Sequence, residues 1–126
     1  MLLGLRTVIY PAPDLASSKA FFTDLLGYPP YFDEPFYVGY EVQGYELALN
    51  PNADPAAGAV TYWGVANADD ALGWLMRHGA TNPSEVRDVG GDIRVATVSV
   101  PSGSVLGIIE NPHFKAAAAT SEGPGR

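Results

Sequence analysis

A strand–cap–helix–glycine frame occurs twice in this chain of 126 residues, and its spacing is nearly the same each time. In the first pass, a strand-like run from Leu5 to Tyr10 stops at Pro11 and Pro13, which cannot extend a β-ladder. Asp14 stands where a helix N-cap belongs, and Gly27 where a left-handed residue ends the helix. In the second pass, Val60 to Val65 is the strand, Asn67 the cap and Gly79 the closing glycine. Thr7 precedes Asp14 by seven residues, as Val60 precedes Asn67 by seven; cap to glycine takes thirteen residues, then twelve. A chain that repeats itself at this period folds as two copies of one unit.

Each unit continues into short β-rich pieces. After the first helix come Tyr31-Phe32, Phe36 to Val42 and Tyr45 to Leu49, with Gln43-Gly44 as the hairpin turn. After the second come Glu85 to Asp88, Ile93 to Val100 and Val105 to Ile109, separated by Gly90-Gly91 and Pro101-Ser102-Gly103. The expected fold class is therefore α+β: two tandem βαβββ modules forming a curved, cup-shaped mixed sheet with helices outside. Neither half should be stable alone, because a single short sheet leaves an apolar face open. Residues 1–114 form one domain: module one over 1–50, a turn-rich linker over 51–58 and module two over 59–114. Residues 115–126 read as a flexible tail. A ferredoxin-like sandwich is the structural alternative.

Composition narrows the function. With 47% hydrophobic and 17% charged residues the chain can fill an ordinary core. The absence of cysteine removes disulfides, thiolate metal sites and cysteine nucleophiles. No apolar run approaches the roughly 20 residues that span a bilayer, and the N-terminus lacks the pattern of a signal peptide. A soluble, cytoplasmic protein is expected. Its formal charge is −7, and no Lys or Arg lies between Lys19 and Arg77. Such a surface repels phosphate backbones and anionic lipid, so neither nucleic acid nor membrane is an expected partner. No serine sits in a nucleophile elbow, and no glycine-rich loop leads from a strand into a helix.

The run from Thr7 through Tyr10-Pro11-Ala12-Pro13-Asp14-Leu15, followed by Phe21-Phe22-Thr23-Asp24-Leu25-Leu26-Gly27, resembles the opening of the vicinal oxygen chelate superfamily. That superfamily includes glyoxalase I, bleomycin-resistance proteins and extradiol dioxygenases. Tyr62-Trp63-Gly64-Val65, His78-Gly79-Ala80 and Pro101-Ser102-Gly103-Ser104-Val105-Leu106-Gly107 resemble its second module. The likeness covers about residues 2 to 114. It implies a metal held by a first-strand histidine and a last-strand glutamate from each module. Those four stations fall on Thr7, Ala48, Val60 and Gly107, none of them a strong ligand. The resemblance therefore implies the cup but not the ion.

Other residues are candidates for the cup. Glu46 lies two residues before Ala48, so strand alternation points its carboxylate to the same side, where it can act as a base or hold a cation. Glu110, at the end of the last strand, should face away from the cup unless the strand has already ended. His113 reads as an exposed or capping residue, and His78 as a helix-end cation. Seven of the fourteen aromatic side chains fall between Tyr28 and Tyr45. Tyr37 and Tyr40 belong to opposite faces of one strand, and one of those faces lines the cup. Tyr62 shares the face of Val60, and Arg94 adds a cation on a neighbouring strand. Half or more of the rings serve as ordinary core pairs. The expected site is thus Thr7, Tyr37, Tyr40, Glu46, Tyr62, Arg94 and Glu110.

Two functions are open at this point. One is a metal-free binding protein for a small aromatic or cationic molecule, with no cofactor. The other is a glyoxalase-type lyase, isomerase or dioxygenase using a divalent metal held by residues such as Glu46 and Glu110. Edge strands and the resemblance together imply a homodimer.

Overall fold

The computed structural model describes residues 1–114; the tail expected over 115–126 lies outside the described residues. The repeated frame is visible in the local structure. Strand β1 (Gly4–Pro11) leads to helix α1 (Leu15–Leu26), whose cap Asp14 accepts a hydrogen bond from the Ser17 amide. Gly27 ends that helix at φ 85°, and its amide donates to the Thr23 carbonyl. Strands β2 (Phe32–Glu34), β3 (Tyr37–Val42) and β4 (Tyr45–Asn50) complete the first unit. Gln43 and Gly44, at φ 55° and 88°, make the two-residue turn between β3 and β4.

After a 3-10 turn at Pro55–Ala57, β5 (Val60–Gly64) starts the second unit. The Asn67 side chain accepts from the Asp70 amide to open α2 (Ala68–Arg77), with Asp69 and Asp70 at the positive end of its dipole. His78 caps the helix one residue before the expected glycine. Strands β6 (Arg87–Asp88), β7 (Arg94–Ser99) and β8 (Val105–Glu110) follow.

All eight strands join one sheet in the order β2-β3-β4-β1-β5-β8-β7-β6. Within each unit the first strand runs parallel to the last, and β1 pairs antiparallel with β5 across the middle. The units therefore meet edge to edge, and the sheet is open, with β2 and β6 as its free edges. This order also excludes the ferredoxin-like alternative.

Register fixes which side chains share a face. Val8, opposite Leu47 on one side and Thr61 on the other, belongs to the helix face, as does Leu106 beyond Thr61. Under α1 pack Ala12, Val38, Tyr40 and Leu49; under α2 pack Val65, Ala68, Ala71, Ala96 and Ile108. Both helices thus cover the same side and leave the other free.

Tyr40 corrects one expectation. It is fully buried under α1, not on the free face, and its hydroxyl donates to the Lys19 carbonyl at 3.0 Å and meets the Thr23 hydroxyl at 2.9 Å. Alternation from Val38, which fills the same core, puts it there. Tyr40→Phe should cost about 1 kcal/mol of unfolding free energy through those bonds, measured by denaturant titration.

Candidate functional site

The helix-free face carries one row of residues defined by register: Glu41, Glu46, Thr7, Tyr62, Gly107 and Thr97. Glu46 is its chemical centre. Its Oε1 accepts from the Thr7 hydroxyl at 3.0 Å and from the Tyr37 hydroxyl at 2.9 Å. Its Oε2 accepts from the Tyr31 hydroxyl at 2.5 Å. Thr7 is buried at 6% exposure in the central strand β1, so one corner of this cluster is held by the sheet itself.

The polarity of the cluster follows from simple counting. A hydroxyl has one proton and two acceptor lone pairs, and an ionised carboxylate has about four acceptor positions. Thr7, Tyr31 and Tyr37 all commit their protons to Glu46, so what remains on the surface of the cluster is acceptor capacity. The two phenols respond accordingly. Burial, then the charge of Glu46 and the bond to it, pushes the Tyr37 pKa well above its usual value. Burial, then the bond to Glu46 and its charge, does the same to Tyr31.

Glycines form the floor. A Cβ on Gly39 would stand 2.5 Å from Glu46 Oε2 and 3.1 Å from the Tyr31 ring. A Cβ on Gly107 would stand 2.5 Å from Tyr62 Cδ2, so that ring lies flat on bare backbone. On Gly64 it would stand 2.6 Å from Arg6 Nε. Each side chain lies in the space its glycine leaves. Burial raises the Tyr62 pKa, against the opposing charge of Arg87.

Two expected site residues lie elsewhere. Strand β8 continues through Glu110, so alternation holds and its carboxylate is on the helix side, accepting from the Ala68 amide at the start of α2 at 2.9 Å. Arg94 joins it there, 3.4 Å from Glu110 and 2.8 Å from Asp69. This triad caps α2 and does not reach the helix-free face. Thr7, Tyr37, Glu46 and Tyr62 share the helix-free face. His113 ties the chain after β8 to the Gly91 carbonyl at 2.8 Å.

Solved structures with the same architecture include a glyoxalase/bleomycin resistance protein/dioxygenase superfamily member from Vibrio splendidus 12B01, 17% identical, covering 85% of this chain and 99% of that one, TM-score 0.64. A methylmalonyl-CoA epimerase in complex with methylmalonyl-CoA and NH4+ is 14% identical, covering 92% and 99%, with TM-score 0.72. The methylmalonyl-CoA epimerase from Mycobacterium tuberculosis is 16% identical, covering 87% and 89%, with TM-score 0.67. The chain has the glyoxalase-type fold. By sequence, no family model and no curated protein matches it. At these identities the likeness carries the fold, and the site must be argued from its own residues.

In this glyoxalase-type fold the four stations read from the sequence share the helix-free face. Thr7 pairs with Tyr62, which pairs with Gly107, while Ala48 and Val60 both sit opposite Ile9. A hydroxyl already bonded to Glu46, a methyl, an isopropyl and a bare backbone do not fit a divalent ion. Among the described residues no group of three or more His, Cys, Asp or Glu is placed to hold one.

Sequence reasoning missed Tyr31 and Arg6. Tyr31 precedes β2 in irregular chain, where no periodicity assigns a face. Arg6 is hidden by a register shift between Leu5 and Thr7. Strict alternation puts Arg6 opposite Thr7, but the bulge lets both reach one side.

Proposed function

We propose that this protein binds a small organic molecule on the helix-free face, recognising its N–H or O–H donors without a metal ion. The observation that carries this reading is the commitment of the Thr7, Tyr31 and Tyr37 protons to Glu46. The cluster offers acceptors only, so it favours an amine, a cation or a hydroxyl-bearing guest and disfavours a guest that can only accept. Tyr62 and Tyr37 supply flat apolar area beside it, which suits a partly aromatic guest. The formal charge of −7 raises the local concentration of cations. Edge strand β2 and the exposed Phe21 and Leu25 of α1 support a homodimer, to be measured by sedimentation.

A thermal-shift screen of amines, carboxylates and neutral acceptors, run with a chelator and again with divalent ions, tests this reading. Stabilisers should be concentrated among the amines and hydroxyl donors and should persist in chelator. Stabilisation that appears only with a divalent ion, or only for acceptors, would overturn it.

A further inference from the structure

Arg6 is a half-buried cation without an ion pair among the described residues. The chain has seven Lys and Arg against fourteen Asp and Glu, so a basic side chain has many partners to choose from. The ion pairs among the described residues join Lys19 to Asp33 and Arg94 to Asp69 and Glu110; Arg6, Arg77 and Arg87 are in none of them, and of these three Arg6 is the half-buried one. Its polar contact is with the carbonyl of its own neighbour Leu5, at 3.4 Å. The β-bulge turns it onto the helix-free face, where its guanidinium lies over Gly64. The Phe114 ring stacks on it with Cζ 3.6 Å from the ring centroid. Stacking covers a face of the planar group and leaves the N–H donors at its rim, the geometry that grips a carboxylate in a fork. Partial burial lowers the pKa of the group from its usual value, with the nearby Tyr45 phenol opposing the shift.

We propose that Arg6, braced by Phe114 and seated on Gly64, is an anion subsite of the same face, so that the preferred guest is a zwitterion with a cationic end at Glu46 and a carboxylate at Arg6. This rests on the donor-recognising reading of Glu46 and adds the second charge. Glu46 pairs with Thr7, Thr7 with Tyr62, and Gly64 stands two residues beyond Tyr62. Two strand spacings and two residue rises separate the backbones of Glu46 and Gly64 by about 12 Å. The Glu46 carboxylate leans toward Gly39 on β3 and the guanidinium rests on Gly64, so the two protein charges stand about 12 Å or more apart, a span that fits two linked aromatic rings between them.

Calorimetric titration with benzylamine, benzoate and 4′-(aminomethyl)biphenyl-4-carboxylate separates the two ideas, because the first two carry one charged end each and the third carries both, two rings apart. The zwitterion should bind at least ~tenfold more tightly than either single-charge probe, from one additional charge-assisted contact. Arg6→Gln should abolish that advantage and the binding of benzoate, whereas Arg77→Gln, on the exposed surface of α2, should change neither. Benzylamine bound through Glu46, with no gain for the zwitterion and no effect of Arg6→Gln, would overturn the anion subsite and leave the donor site standing. Benzoate bound through Arg6, with benzylamine failing to bind, would keep the subsite and sink the reading of Glu46.

Discussion

Glu46→Gln is expected to weaken binding of an amine guest by about ten- to a hundredfold and to destabilise the fold by about 1–3 kcal/mol. The amide keeps the shape but replaces one acceptor oxygen by a donor. Three hydroxyls that now give protons to Oε1 and Oε2 must then compete for one oxygen, and at least one has to turn away. The alkaline behaviour gives an independent readout. The phenols of Tyr31 and Tyr37 have raised pKa values, chiefly from burial and then from Glu46. A phenol that ionises near pH 10 in the unfolded chain but stays protonated in the fold stabilises it fully below that pH. That stability is lost as the pH rises above it. Tyr31 is 64% exposed, so solvent screens its share, and Tyr37 carries most of the effect. In Glu46→Gln the share due to the carboxylate disappears, and tyrosinate absorbance should develop at lower pH in the folded protein. An unchanged titration would show that the carboxylate does not hold these phenols.

Gly107→Ala should destabilise the protein by about 1–3 kcal/mol, a large effect for one methyl group in a β-strand. The added carbon would lie 2.5–2.7 Å from Cδ2, Cε2 and Cγ of Tyr62. Cγ sits too close to the backbone for a change of rotamer tip to relieve the contact, so the strand or the whole ring must move. The same substitution in a Tyr62→Ala background should be neutral or slightly stabilising, since alanine otherwise favours a strand interior over glycine. Urea denaturation of the four proteins measures the coupling. An equal cost in both backgrounds would place the strain elsewhere. Gly107 is the position where the resemblance implies a last-strand carboxylate, so this pair also shows what fills that space: an aromatic ring.

The duplicated frame was readable because caps and glycines are local signals. Asp14, Gly27 and Asn67 act through their own neighbours, and each occupies its expected position. Glu46 was readable because alternation in β4 is regular, and the stations on Thr7, Ala48, Val60 and Gly107 share a face for the same reason. Tyr40 was ambiguous because alternation separates the faces of β3 without saying which one α1 covers. Val38 and Leu49 decide that through packing across strands. Glu110 and Arg94 gave charges without partners in sequence; their partners are the amide of Ala68 and the carboxylate of Asp69, both brought near by α2. Arg6 was out of reach because a one-residue bulge inverts alternation and leaves no mark in the sequence. Local signals carried the frame, whereas tertiary contacts brought in Tyr31 and Arg6.

The most direct test of a proton-committed carboxylate is calorimetric titration of the wild-type protein with benzylamine and with benzonitrile, which match in ring and bulk but differ in donor and acceptor character. Benzylamine should release heat and saturate, and benzonitrile should show no binding over the same range. Equal or tighter binding of benzonitrile would mean that the Thr7, Tyr31 and Tyr37 protons face the guest, and the account of Glu46 would be wrong.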